Sequence, residues 1–168
     1  MIIAILCQIL IAFLPLAFAP IGGIKSKPFE FPWTATIKYK GEHFCGGVML
    51  SPSWLMTTAQ CNADWMDQED ITIEVHRHNF TKSLVDEDST VLTIVNTTNH
   101  PQYGGDDGYW VNDLSLWQVA VESTSANSNI STWTSWPFID EGEWSRSGTN
   151  ASLYGWGEFI ISPIKWQD

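Results

Sequence analysis

Four histidines, three cysteines and several carboxylate clusters are the residues of this chain best suited to chemistry. Histidine is the side chain whose proton comes and goes near neutral pH, and it stands at His43, His76, His78 and His100. His76 and His78 lie two apart and would share one face of a strand, as a pair of metal ligands can. No third ligand follows at a recognisable spacing, so a solvated strand end is expected and no metal. The carboxylates Asp64, Asp67, Glu69 and Asp70, the run Asp86-Glu87-Asp88 and the pair Asp106-Asp107 offer hard oxygen ligands. They lack the glycine and terminal glutamate of an EF-hand loop and read as solvated loop charge. No cofactor is implied. Trp133, Trp136 and Trp144 either form an aromatic surface for sugar or peptide, or belong to a core that other strands would bury. No Gly-x-Ser-x-Gly elbow presents a nucleophilic serine.

The compartment in which this chemistry would operate is written at the start of the chain. Residues 1–19 carry no charge, run through long apolar stretches and end in Ala17-Phe18-Ala19, a small-x-small cleavage pattern. They read as a secretory signal peptide. An uncleaved membrane anchor is the alternative, and Pro15 and the lack of flanking basic residues speak against it. Cys7 would leave with the signal, so Cys45 and Cys61 remain. A pair in a secreted domain usually forms one disulfide, and zinc is the weaker alternative. The loop such a bridge closes is about 16 residues, worth roughly 3 kcal/mol by chain entropy. Sequons at Asn79, Asn96, Asn129 and Asn150 point the same way, to an extracellular glycoprotein.

Short β-rich runs must position these residues. Trp33–Tyr39, His43–Leu50, Trp54–Thr58, Asp70–His76, Thr90–Asn96 and Leu114–Val121 are the expected strands. Ile71, Ile73 and Val75 alternate with Thr72, Glu74 and His76, the period of a half-buried strand. Lys40-Gly41, Ser51-Pro52-Ser53 and the glycine-rich stretch 104–108 supply turns. Six such strands without a long amphipathic helix predict a small antiparallel barrel or sandwich. A Ser/Thr/Asn-rich linker follows, and then a second β-like piece at Ala151–Tyr154. With 44% apolar residues the chain is not a disordered one. Its 8 Lys+Arg against 19 Asp+Glu, a net charge of −11, exclude nucleic acid as a partner because phosphate contacts need clustered basic residues.

Read in order, these runs resemble the chymotrypsin/trypsin-like serine protease family. The carrying residues are Pro20-Ile21-Gly22-Gly23, Phe31-Pro32-Trp33, His43-Phe44-Cys45-Gly46-Gly47 and Trp54-Leu55-Met56-Thr57-Thr58-Ala59-Gln60-Cys61. His100-Pro101-Gln102-Tyr103, Asn112-Asp113-Leu114-Ser115-Leu116 and Gly148-Thr149 leading to Gly155-Trp156-Gly157 complete the series. The resemblance implies an all-β, double-barrel fold with the active site between two six-stranded barrels. It assigns residues 20–122 to a complete first barrel, 123–147 to the link between barrels and 148–168 to the start of a truncated second one. It also implies that Cys45 and Cys61 are bridged, that His43 is a packed structural histidine and that His100 lies in a surface turn.

The family's chemistry needs a serine nucleophile, a histidine base and an aspartate that orients the imidazole. Asp113 matches the aspartate. Gln60 stands in the histidine position, and a carboxamide takes up no proton near neutral pH, although it can hydrogen-bond Asp113. The serine would sit in a Gly-Asp-Ser-Gly-Gly segment, which no part of this sequence reads. Pro20 occupies the place of the family's activating amino terminus, with no basic residue before it. The expectation is a secreted homologue without peptidase activity, or else an incomplete sequence of a serine endopeptidase. A lectin-like binder using its tryptophans is a third reading. A protein or peptide ligand is compatible with each, a membrane contact arises only through an uncleaved residue 1–19 segment, and an uncovered half-barrel should self-associate.

Overall fold

A computed structural model describes residues 24–62, 66–104, 111–122, 136–137 and 148–156. The chain divides into two units, and the one from Ser26 to Trp156 carries every strand described below. The signal segment, most of the link at 123–147 and the Asn129 sequon lie outside the described residues. Among the described residues no helix is long and apolar enough to cross a membrane.

Six strands, β1 (Thr34–Tyr39), β2 (Glu42–Ser51), β3 (Trp54–Thr57), β4 (Ile71–Val75), β5 (Thr90–Asn99) and β6 (Ser115–Val121), close into one antiparallel barrel. The order around it is β1-β2-β3-β6-β5-β4, which leaves no open sheet edge. All six match the runs expected from sequence. The barrel, rather than the sandwich, is realised because β1 pairs with both β2 and β4 while β5 and β6 pair along seven register positions. β5 runs to Asn99, past the expected end, since Thr97, Thr98 and Asn99 still find partners in Trp117, Leu116 and Ser115.

Local sequence explains how the barrel closes. Lys40 and Gly41 both take positive φ, 51° and 84°, the two-residue turn whose twist suits a right-handed hairpin. Gly47 lets β2 approach β3: a Cβ there would lie 2.8 Å from the Leu55 side chain. Alternating residues then fill the interior. Ile37, Met49, Leu55, Ile73, Leu92 and Trp117 are wholly buried, and the Trp117 indole N–H is satisfied by the Ser115 hydroxyl at 2.9 Å.

Two readings from sequence change here. Ala151–Tyr154 forms no strand; it is a segment held to the barrel by aromatic side chains. Trp136 is half-buried against the core of this barrel, which the expectation of a second core did not foresee. Trp133 and Trp144 lie outside the described residues.

Candidate active site

The Cys45–Cys61 disulfide, Cα atoms 6.2 Å apart, ties β2 to a 3₁₀ turn at Ala59–Cys61. Gln60 sits at the middle of that turn, exposed, between buried Ala59 and Cys61. Across from it, Asn112 takes positive φ at 55° and Leu114 N donates to Asn112 O, which turns the chain sharply at Asp113 just before β6. The two features meet: Gln60 N–H donates to Asp113 Oδ1 at 2.9 Å. The expected pair is thus brought together, but through the main chain of Gln60 rather than through its carboxamide. The side chain is left facing solvent.

A polar chain inside the barrel end fixes this corner, and sequence reasoning missed it. Asn62 Nδ2 donates to Thr97 Oγ1 at 3.0 Å and to Asn99 Oδ1 at 3.3 Å. The Ser115 hydroxyl donates to the same Asn99 oxygen at 2.8 Å and accepts from the Trp117 indole. The turn carrying Gln60, the end of β5 and the start of β6 are therefore bound together, through Asn62 two residues after Gln60 and Ser115 two residues after Asp113. The signal in the sequence was the polar run Asn96-Thr97-Thr98-Asn99 that ends β5 after Val91, Leu92, Ile94 and Val95.

Beside Asp113 opens a depression of about 300 Å³. Thr34, Gly46, Val48, Met56, Leu114 and Tyr154 contribute to its walls, Asp113 supplies its one carboxylate, and neither serine nor histidine lines it among the described residues. Its hydroxyls belong to threonines and a tyrosine, and that of Thr57 donates to Gly46 O at 2.8 Å. Tyr154 is stacked on Phe31 at 3.9 Å and accepts a hydrogen bond from Trp33 Nε1 at 2.6 Å. Trp156 stacks on Phe80 at 5.2 Å and donates to His78 O at 3.3 Å. These contacts hold Tyr154 to Trp156 against the barrel, where they form part of the wall of the depression.

The four histidines lie outside this depression. His43 Nδ1 shares a hydrogen bond of 2.7 Å with Thr36 Oγ1, and its ring lies by Phe80 and Trp156. Desolvation by these rings holds its pKa below the usual histidine value, with Lys38 adding to the effect and a hydrogen bond to the Trp156 main chain opposing it. His76 does not extend a strand face. It follows β4 with φ of 58°, bonds Glu87 O through Nδ1 at 2.8 Å, and is stacked by Phe29 at 4.1 Å. His78 donates its main-chain N–H to Glu87. His100 accepts from Gln102 N in an exposed turn, as expected.

Glu87 overturns the reading of Asp86-Glu87-Asp88 as solvated charge. It is 3% exposed, and its carboxylate takes Arg77 Nη1 at 3.0 Å, His78 N at 3.1 Å and Asn79 N at 2.9 Å. Arg77 also meets Glu74 Oε2 through Nε at 3.1 Å, a charge contact without hydrogen-bond alignment, and Lys38 takes the other Glu74 oxygen at 2.8 Å. Among the described residues no group of three His, Cys, Asp or Glu side chains could hold a metal ion.

A closed six-stranded barrel that presents an aspartate to a disulfide-braced turn is the architecture of one half of a serine-protease fold. The family model for trypsin matches residues 20–161. The chain belongs to the trypsin family. Human granzyme M is 28% identical over 137 residues, covering 82% of this chain and 49% of its own length. Mouse epidermal growth factor-binding protein type B is 27% identical over 162 residues, covering 91% and 56%. Human heparin binding protein superposes with a TM-score of 0.51 at 26% identity, over 64% of this chain and 45% of that one. The chain spans about half the length of the curated relatives it matches.

Proposed function

We propose that this chain is a secreted trypsin-family homologue that does not cleave peptides as it stands, and that it acts through binding. The observation that carries this reading is the corner at Gln60. Its main-chain N–H holds Asp113, so the aspartate is placed to orient a neighbouring ring, yet the side chain on that turn is a carboxamide. A carboxamide cannot take a serine proton. The reading rests on Gln60 and stands whether or not residues follow Asp168.

Secretion is supported by the apolar residues 1–19, by the Cys45–Cys61 bridge, which suits an oxidising compartment, and by the sequons at Asn79, Asn96 and Asn150, of which the last two are exposed. The depression beside Asp113, walled largely by apolar groups and backbone, is where a protein or peptide ligand would seat. Leu114 and Tyr154 keep 41% and 37% exposure there, and a second copy could cover them. Heparin, named for the solved relative, is not carried over, because a chain with 8 Lys+Arg against 19 Asp+Glu, a net charge of −11, repels a sulfated polyanion.

The test is hydrolysis of a fluorogenic peptide ester by the purified secreted chain. No turnover above background is expected, and turnover that an active-site serine reagent abolishes would refute the proposal. Light scattering on the same sample addresses self-association; a monomer at all concentrations counts against it.

A further inference from the structure

The outer face of the barrel carries a row of side chains that neither the candidate site nor the core explains. Asn96 on β5 is the register partner of Gln118 on β6, and Gln118 is the partner of Trp54 on β3. Residues directly opposite in an antiparallel sheet point to the same face, and all three are exposed, whereas the next row inward, Leu55 and Trp117, is wholly buried. Strand spacing puts Asn96 and Trp54 about 10 Å apart across the sheet.

A bulge makes this row. The register of β5 shifts between Ile94 and Asn96, so two consecutive residues, Val95 and Asn96, both face outward opposite the β6 strand. Strict alternation would have turned Asn96 toward the interior. Beside it the surface is apolar for a solvated sheet: Val95 is 58% exposed, Trp54 40%, and Leu116, one outward row away opposite Met56, 37%. Asn96-Thr97-Thr98 is a sequon, and Thr98 lies on the same outer face.

We infer that Asn96 is N-glycosylated and that its first sugars lie across Gln118 against the Trp54 indole, covering this apolar strip. The inference rests on the proposed secretion of the chain. In the modification the Asn96 amide nitrogen bonds C1 of a sugar donated by a polyprenyl-pyrophosphate oligosaccharide. The pyrophosphate lipid leaves and the amide gives up one proton. A pyranose presents a face of C–H groups that packs on an indole, while its hydroxyls stay in water and reach Gln118. Such a face suits a row of one aromatic and one amide. The Asn79 sequon offers no equivalent row: Asn79 is half-buried in the loop after β4, outside the strands.

The experiment is secretion of the full chain from a eukaryotic host, with glycopeptide mass spectrometry at each sequon and thermal unfolding of four variants. Thr98→Ala removes only this sequon, and Thr98→Ser keeps it; each is made with Trp54 present and with Trp54→Ala. Asn96 should be occupied in Thr98→Ser. Thr98→Ala should then melt about 2–4 °C below Thr98→Ser, a shift of the size a 1 kcal/mol change gives. With Trp54→Ala that difference should largely vanish. An unmodified Asn96 while other sequons carry sugar, or an equal difference in both Trp54 backgrounds, overturns the inference. Sugar at none of the four sequons overturns it together with the proposed secretion.

Discussion

Glu87 and Asp113 are both held by main-chain N–H groups, and they are held to different ends. Glu87 accepts from His78 N and Asn79 N, lies against the Arg77 guanidinium and is almost wholly buried. Asp113 accepts from Gln60 N, stays partly open to solvent and faces a depression. Both loops fix their carboxylate, but only the first satisfies it. The Glu87 loop spends its hydrogen-bonding capacity on its own structure, while the Asp113 corner leaves its second carboxylate oxygen on the side of the depression. A carboxylate saturated by its own loop is a brace; one held on a single side is a site, occupied or vacated.

The sharpest way to break this comparison is to take away the cation at the first carboxylate. Arg77→Met should cost about 3–5 kcal/mol, since Glu87 would remain buried without its cation, while Glu74 would keep Lys38 alone. Chemical denaturation of the oxidised chain measures it. Adding Glu87→Gln to that variant should recover part of the loss. A cost below about 1 kcal/mol would mean that Glu87 relaxes into water and that the loop is no brace.

The strands were legible because alternation and turn residues are local signals: Ile71 to Val75 show the period, and Lys40-Gly41 the hairpin. Asp113 and Gln60 were legible only through the order of motifs, since nothing within either segment says that they meet. Glu87 was misread because its partner, Arg77, lies ten residues back, across a turn that a charge run does not announce. The anchoring of Tyr154 was equally hidden: its hydrogen-bond partner Trp33 is 121 residues away. The donor to Asp113 was misjudged for a related reason. Sequence displays side chains, and the loop used its backbone.

That last point makes a smaller test at the second carboxylate. Asp113→Ala removes the acceptor of the Gln60 N–H and should cost about 1 kcal/mol. Gln60→Ala leaves the main-chain donor in place and, at an exposed position, should change stability by less than about 0.5 kcal/mol. Equal losses in the two variants would show that the carboxamide, not the backbone, holds the aspartate.

The smallest expected effect concerns His43, whose ring borders both regions through Phe80 and Trp156. Burial among these rings lowers its pKa in the folded chain relative to the unfolded one. The unfolded chain therefore binds its proton first as pH falls, and the folded chain resists. This contribution to stability is complete above the unfolded value near 6.5 and is lost as pH drops from there toward the lower folded value. The ring stays partly in water, so the loss should be modest. His43→Gln should flatten the stability profile between pH 7 and 5 while leaving the Arg77 and Asp113 effects unchanged. A profile that keeps its slope in His43→Gln would move the titration to another group. One that also weakened the Arg77→Met effect would show that the brace and the aromatic contact beside the depression are one coupled structure rather than two.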